Sequence, residues 1–394
     1  MTGDTILTLN AGSSSLKIGI YTQELTLLAT GLVDSIGGEG SLRIRNAEGA
    51  EIGLPDAIAK DYSDHEAALA TVLRVLDSLF GDRSVTAVGH RVVHGGHRFA
   101  APALIDAAVI EEIEGLAAFA PLHQPHNLSG IRAAMKAFPL ARQVACFDTA
   151  FHRDHPFVQD TFALPRGFYE RGVRRYGFHG LSYDYIAGAL RFVAPDVADG
   201  RVIVAHLGNG ASMCGLRAGR SITSTMGFSA LDGLPMGTRC GQLDPGVLLY
   251  LMEQEGMDAA AISDLLYRRS GLLGLSGVSN DMRTLEACDV PEAGEAIDYF
   301  ISRIQCETGG IAAALGGIDA FVFCGGIGEN SRLVRARVAQ GMGWLGLSVD
   351  PGRNAANATV ISCEDAPVRV MVIPTDEELV IARQTLESAA GVPA

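Results

Sequence analysis

A duplicated α/β protein is what this 394-residue sequence predicts. Three observations predict it. Short apolar, strand-like runs alternate with segments of helical periodicity along the chain. The opening pattern of strand, polar turn and strand, "TLNAGSSSLKIGIY" (8–21), begins again at "GRVIVAHLGNGASMCGLRAGRSI" (200–222). The chain is also longer than one hydrophobic core comfortably serves, so two coupled lobes around a cleft are expected.

In the first hairpin, apolar Ile6, Leu7 and Leu9 precede the turn and Leu16, Ile18 and Ile20 follow it. Shorter strand-like pieces run on to about residue 55. From Ser63 or Asp64, apolar Leu69, Val72, Leu73, Leu76 and Leu79 recur at helical spacing behind a capping residue. "SVTAVGHRVVHGG" (84–96) reads as a buried strand entering a glycine-flanked polar loop. Helices near 106–119 and 127–138 lead to the strand "RQVACFDTAF" (142–151). In the second half, "DAFVFCGGIGENSRLVRARVAQ" (319–340) reads as a strand, a glycine loop and a helix capped near Asn330 or Ser331. No low-complexity linker parts the halves.

Composition narrows the functional classes. Apolar residues at 48% and charged residues at 19% suit a packed globule. A formal charge of −14 argues against nucleic-acid binding, which needs a basic stripe. It leaves room for an anionic small substrate, because local cations can reverse the field in a cleft. The seven scattered cysteines include no C-x-x-C pair and suit a reducing compartment. With no long apolar stretch and a strand almost at the start, no membrane partner is expected and the cytoplasm is the expected location.

Chemistry concentrates at a few places. Turns of Gly, Ser and Asn expose N–H groups and hydroxyls that surround phosphate oxygens, and Lys17 adds a cation beside the first turn. An ordinary solvated hairpin is the alternative for one such turn; a second, "HLGNGAS" (206–212), weakens it. "GGIGENS" (325–331) precedes a helix and favours an anion, although its spacing departs from a dinucleotide fingerprint. Arg91 and Arg239 stand among Gly and apolar residues, where a permanent charge needs an anionic partner. His90 and His94 have the H-x-x-x-H spacing of a metal site, but on a strand and loop that spacing does not align two ligands, so hydrogen-bonding roles are expected. Asp148, at a strand end, and Glu377 and Glu378, opening the last helix behind a capping Asp376, are oxygen donors of the kind magnesium takes.

Ten ordered blocks then carry a family resemblance: "LNAGSSSLKIGIY", "GHRVVHGG", "APLHQPHNLSGI", "CFDTAFH", "YGFHGLSY", "AHLGNGAS", "MGFSALDGLPMGTRCGQLDPG", "GVSNDMR", "GGIGENS" and "IPTDEELVIA". Spread over essentially the whole chain, they resemble the acetate kinase (acetokinase) family, within the acetate and sugar kinase, Hsp70 and actin superfamily. The resemblance implies two duplicated ribonuclease-H-like α/β lobes with an ATP and substrate cleft between them. It places an N-terminal lobe at 1–149, completed by a C-terminal helix at 378–394, and a nucleotide-binding lobe at 150–377. It implies reversible transfer of phosphate from ATP to acetate, giving acetyl phosphate and ADP, with Mg2+ (Mn2+ as alternative) as cofactor and a homodimer as assembly.

Residue by residue, the resemblance gives catalytic roles to Arg91, Asp148, His179 and Arg239, and metal-associated roles to Asn10 and Glu377. Val93, Leu122, Phe178 and Ala230 match positions around the substrate methyl group. ATP binding falls to Lys17; to His206, Leu207, Gly208, Asn209 and Gly210; to Asp281, Met282 and Arg283; and to Gly326, Ile327, Gly328, Glu329 and Asn330. Ala230 stands where the family carries a proline, and Gln242 where G-D is common. Without the proline ring the acyl pocket has room for another methylene, so a propionate or other short-chain acyl kinase is the alternative. A carboxylate acceptor is already ionised at neutral pH, its pKa being ~4. Asp148 is therefore expected to position an arginine or a magnesium-bound water rather than to act as a base. A nucleotide-dependent switch of the actin and Hsp70 type is disfavoured, because the chain carries no spare partner-binding segment.

Overall fold

The structure is a computed structural model and describes residues 4–12, 15–54, 60–80, 83–120 and 123–391. It divides into two compact units, Met1–Arg153 with Asp376–Ala394, and Asp154–Thr375.

The first unit is built on strands β1 (Asp4–Ala11), β2 (Leu16–Thr22), β3 (Leu27–Asp34), β4 (Ser41–Asn46), β5 (Ser84–Val92), β6 (Ala103–Leu104) and β7 (Arg142–Phe147), in the order β4-β3-β2-β1-β5-β7-β6. β1 to β4 pair antiparallel, whereas β5 and β7 run parallel to β1. The second unit carries β8 (Arg201–Leu207), β9 (Ala211–Arg217), β10 (Arg220–Ser224), β11 (Ala320–Cys324) and β12 (Arg369–Val372), in the order β10-β9-β8-β11-β12. There too an antiparallel hairpin precedes strands parallel to its first member. β3-β2-β1-β5-β7 and β10-β9-β8-β11-β12 are thus one arrangement used twice, the ribonuclease-H-like order that the resemblance implies. The restart read at residue 200 is a structural repeat.

Alternation along β1 and β2 covers both faces of the first sheet. Leu7, Leu9, Leu16, Ile18 and Ile20 pack with Leu69, Val72 and Leu76 of the helix His65–Phe80. Asp64 opens that helix by accepting from the Ala67 N–H at 2.8 Å. On the other face, Ile6 and Tyr21 meet Ala382 of the helix Glu377–Ala389. This last helix lies against β1, β5 and β7, and a Cβ at Gly89 of β5 would stand 2.1 Å from Thr385 Oγ1 and 2.6 Å from Ile381. Only glycine allows the helix so close. The first long helix after β7, Gly180–Val193, belongs instead to the second unit, just as the helix after β12 belongs to the first.

Three local expectations need correction. The segment near 106–119 is a helix, Ala107–Gly115, capped by Asp106, and then a separate 3-10 turn, Ala117–Phe119. The next helix starts at Gln124 rather than 127, because Pro125 sits in its first turn, where a missing N–H costs nothing. The glycine loop is a short helix, Gly325–Asn330. Glycine's poor helix propensity favours a loop, but both helix ends find partners. Glu329 Oε1 accepts from the Gly325 N–H at 2.9 Å. The buried Arg335 donates Nη1 to the carbonyls of Gly328 (2.9 Å) and Glu329 (2.8 Å). Ser331 caps the following helix, Arg332–Gly341, as expected.

Candidate active site

Parallel strands present their carboxyl ends together, and side chains just there face one edge of the sheet. In the first unit this edge gathers Asn10 from β1, Arg91 from β5 and Asp148 from immediately after β7. Arg91 Nε donates to both oxygens of Asp148 at 3.1 Å, and its Nη2 donates to Oδ2 at 2.7 Å. Its Nη1 donates to Asn10 Oδ1 at 3.0 Å. The Asn10 amide in turn donates Nδ2 to Glu377 Oε2 (3.3 Å) and Glu378 Oε1 (3.4 Å) on the first turn of the closing helix. Asp376 caps that turn by accepting from the Leu379 N–H at 2.9 Å, which fixes where the two glutamates begin.

Charge in this cluster is largely out of water. The Asp148 side chain is 1% exposed and that of Arg91 18%. Burial pushes the Asp148 carboxyl up, and the Arg91 guanidinium opposes it by charge and hydrogen bonds. Burial works against the Arg91 cation, yet Asp148, Glu377 and Glu378 together raise its pKa above the ordinary value. Glu378 is likewise pushed up by burial, against the pull of Lys17. Arg91 is thus a permanent cation steered by Asp148. One ion pair is satisfied within the protein, and the guanidinium keeps an exposed fraction to offer a second anion.

Nearby histidines have structural partners. His90 Nε2 meets Gln143 Oε1 of β7 at 2.8 Å, and burial lowers its pKa to about 4. Val93 is buried, and its N–H donates to Asn127 Oδ1 at 3.1 Å while Asn127 Nδ2 donates to the Ala11 carbonyl at 3.2 Å. Asn127 therefore ties the ends of β1 and β5, and with them Asn10 and Arg91. Leu122 lies outside the described residues.

In the second unit, the segments 206–210, 281–283 and 326–330 converge. Gly208, Asn209, Asp281, Arg283, Gly326 and Asn330 are among the residues lining one cavity of about 690 Å³. The β8–β9 register, His206↔Ser212 and Leu207↔Ala211, leaves 208–210 as the turn, closed by the Gly208 N–H on the Gly210 carbonyl at 3.0 Å. Asp281 accepts from the Arg283 N–H at 2.9 Å and pairs with its Nη2 at 2.7 Å, which holds its carboxyl below the usual range. Met282 is buried beneath them. Gly325 has φ +74 and its Cβ would come 2.8 Å from the Leu207 carbonyl, so the glycine helix starts hard against the end of β8.

His179 caps the helix Gly180–Val193 with φ 56, a left-handed backbone outside glycine. Its Nδ1 meets Ser212 Oγ at 2.8 Å, and its ring stacks on His206, centroids 4.4 Å apart. His206 Nδ1 meets Ser182 Oγ at 2.8 Å, a hydroxyl that also meets Thr375 Oγ1 at 2.8 Å. Phe178 is buried beside His179 in the chain. Arg239 donates Nη1 to the carbonyl of the half-buried Ala230 at 3.1 Å. Gln242, the other departure, accepts from Arg303 Nη2 at 2.5 Å.

Sequence reasoning left Ser182, Ser212 and Asn127 without roles. All three sit inside the quoted motifs, but spacing alone does not say which hydroxyl or amide meets which ring or strand end.

What such a set of groups serves is phosphoryl transfer, in which charge must be offset more than protons moved. The comparisons agree with that class. The acetokinase family profile matches residues 5–383. The acetate kinase of Methylocella silvestris is 57% identical over 391 residues, covering 97% of each chain; that of Nitrobacter hamburgensis is 53% identical, covering 97% of this chain and 96% of its own. Among solved structures, Porphyromonas gingivalis acetate kinase aligns with TM-score 0.86 at 38% identity, covering 97% of this chain and 99% of its own. A propionate kinase from Francisella tularensis aligns with TM-score 0.89 at 34% identity, covering 100% of both. This chain belongs to the acetokinase family, and it is a phosphotransferase with a carboxyl group as acceptor.

Proposed function

We propose that the protein transfers the γ-phosphoryl group of ATP directly and in line to acetate, giving acetyl phosphate and ADP. Arg91 is the observation that carries the reading: a buried-edge guanidinium held from one side by Asp148 and Asn10. The acceptor is an anion and the donor a polyanion, so the task is to bring like charges together. Arg91 and Arg239 offset the charge of the carboxylate and the transferring phosphoryl group. His179, its ring oriented by Ser212 and His206, donates to a phosphoryl oxygen. Asp148 is a positioning residue for Arg91.

ATP is assigned to the second unit, where the cavity bounded by Gly208, Asn209, Asp281 and Gly326 is wide enough for a nucleotide. Lys17 is assigned to its phosphates by the motif it closes. Val93, Leu122, Phe178 and Ala230 are assigned to the acyl methyl group on the strength of the motifs they belong to. Magnesium fits the donors present. Among the described residues no three His, Cys, Asp or Glu side chains form a self-sufficient metal cage, and magnesium typically takes one or two carboxylates plus substrate phosphate oxygens. Glu377, with Asn10 beside it, would hold the ion, which when bound offsets phosphate charge.

Ala230 favours a second reading. With no proline ring at this position, an acceptor one methylene longer is accommodated, a difference worth about 1–3 kcal/mol. The test is acetyl phosphate formation from ATP, magnesium and C2 to C4 carboxylates, with Ala230→Pro alongside. Turnover of acetate is expected, and Ala230→Pro should lower kcat/KM for propionate relative to acetate about tenfold or more. An unchanged ratio would reject the pocket argument, and no turnover of any acid would reject the reaction.

Location and assembly are inferred too. No helix among the described residues is long and apolar enough to cross a membrane, and none of the seven cysteines forms a disulfide, in keeping with a cytoplasmic enzyme. The helix Pro245–Glu253 buries none of its residues and exposes Leu249 (57%), Tyr250 (53%) and Met252 (49%). A second copy of the chain covering this helix makes a homodimer.

A further inference from the structure

Sheet register extends the active-site edge of the first unit outward. Asn10 pairs with Lys17, Lys17 with Leu32, and Leu32 with Arg43, so these residues form one cross-strand row from β1 to β4. Paired residues point to the same face and their Cβ atoms lie about 5 Å apart. Along the same strands and on the same face, Gly19 pairs with Thr30 and Thr30 with Arg45. The face is covered at its β1 end by the closing helix and emerges beyond Glu378. There Lys17, Thr30, Leu32, Arg43, Arg45 and Glu378 line a groove of about 330 Å³.

The charge in this groove is unusual for the chain. Lys17, Arg43 and Arg45 are all exposed, and among the described residues no ion pair joins any of them to a carboxylate. The groove lining thus holds three cations and one carboxylate, that of Glu378, on a protein whose formal charge is −14. Two arginines on alternate positions of β4 would ordinarily be balanced by acidic neighbours across the pair. On the β3 side the cross-strand neighbours are Leu32 and Thr30; on the outer side Arg45 bridges to Glu51, which does not line the groove and forms no ion pair with it among the described residues. Such a concave, one-sign surface concentrates anions locally and raises their encounter rate, the more so at low ionic strength.

We propose that this groove is an anion-entry site, in which Arg43 and Arg45 draw the phosphate groups of a small phosphorylated molecule onto Lys17 and toward the Asn10–Arg91 cluster. The inference extends the proposed reaction and rests on it for the identity of the anion, a nucleotide or acyl phosphate. The binding itself does not depend on turnover.

The double variant Arg43→Gln/Arg45→Gln tests it in two ways. In equilibrium dialysis with inorganic phosphate at low ionic strength, the native chain should bind one phosphate more than the variant. Equal binding would overturn the proposal whatever the activity. In turnover, kcat should stay within twofold, while kcat/KM for ATP and acetyl phosphate falls about five- to tenfold at low salt and converges with the native value near 0.5 M salt. The charge-keeping Arg43→Lys/Arg45→Lys variant should restore it. A native kcat/KM in the glutamine variant at low salt, or a loss that persists unchanged at high salt, would assign these arginines no part in anion entry. Absence of all acid-dependent turnover in the native chain would instead reject the reaction and leave the dialysis result to decide the groove.

Discussion

At the scale of single residues, Asp148 separates two accounts of the chemistry. A carboxylate in an active site invites the role of general base, but an ionised acceptor has no proton to lose. The geometry gives Asp148 another occupation: it accepts three hydrogen bonds from Arg91, a largely buried cation whose other hydrogen bond goes to the neutral Asn10 amide. Asp148→Asn should therefore lower kcat by about 10² or more at every pH and lower stability by roughly 3 kcal/mol, the usual cost of breaking a buried pair. Native and variant pH–rate profiles should have the same shape, and the chemical step should show no substantial solvent isotope effect. A native profile governed by a group that Asp148→Asn abolishes, accompanied by a large isotope effect, would restore the base. In the sequence, Arg91 and Asp148 were each legible as functional, because an arginine among apolar residues and an aspartate at a strand end both need explaining. That Asp148 positions an arginine is one of two expectations from sequence, beside a magnesium-bound water; that the arginine is Arg91 was not legible, since the two are far apart in sequence and meet only because β5 and β7 are parallel neighbours. Glu378 reads in sequence, with Glu377, as an oxygen donor of the kind magnesium takes and not as a partner of Asn10; its share in holding Asn10 depends on the first helical turn presenting both glutamates to one amide.

At the scale of elements, the site depends on how closely the closing helix approaches β5. Gly89 stands two residues before Arg91, and Thr385 and Ile381 occupy the space its side chain would need. Gly89→Ala should lift the helix Glu377–Ala389 off the sheet, costing about 1–3 kcal/mol as overpacked cores do. Because Glu377 and Glu378 open that helix, the variant should also lose activity out of proportion to its lost stability. Thermal unfolding and kcat measured well below the transition check this; a destabilised variant with native kcat would uncouple helix seating from the site. Most elements were readable from periodicity and capping. Strand β1, the hairpin turn and the helix from His65 follow from apolar spacing and from Asp64. The glycine helix at 325–330 was not readable, because its support comes from the Glu329 side chain and from Arg335 in the next helix, and local propensity opposes it. Gly89 itself carries no signal in sequence: what excludes a side chain there is a helix nearly 300 residues later.

At the scale of the whole molecule, the duplicated strand order explains why a hairpin turn followed by strand-end polar residues recurs in each unit. Duplication was legible from the two opening hairpins alone. The exchange of closing helices was legible only through the family resemblance, because a helix's sequence does not name the sheet it covers. The exposed helix Pro245–Glu253 bears on assembly: Leu249→Glu should shift the native species to a monomer in sedimentation equilibrium while leaving the fold intact. An unchanged dimer would place the interface elsewhere, and a native monomer would reject it. The central claim is that two arginines, Arg91 and Arg239, offset the charge that keeps acetate and ATP apart. The most direct measurement is the turnover number for acetyl phosphate formation by Arg91→Ala and Arg239→Ala, each beside the native chain and each checked for native folding. The account predicts a loss on the order of 10³ or more for each; activity within tenfold of native in either would contradict it.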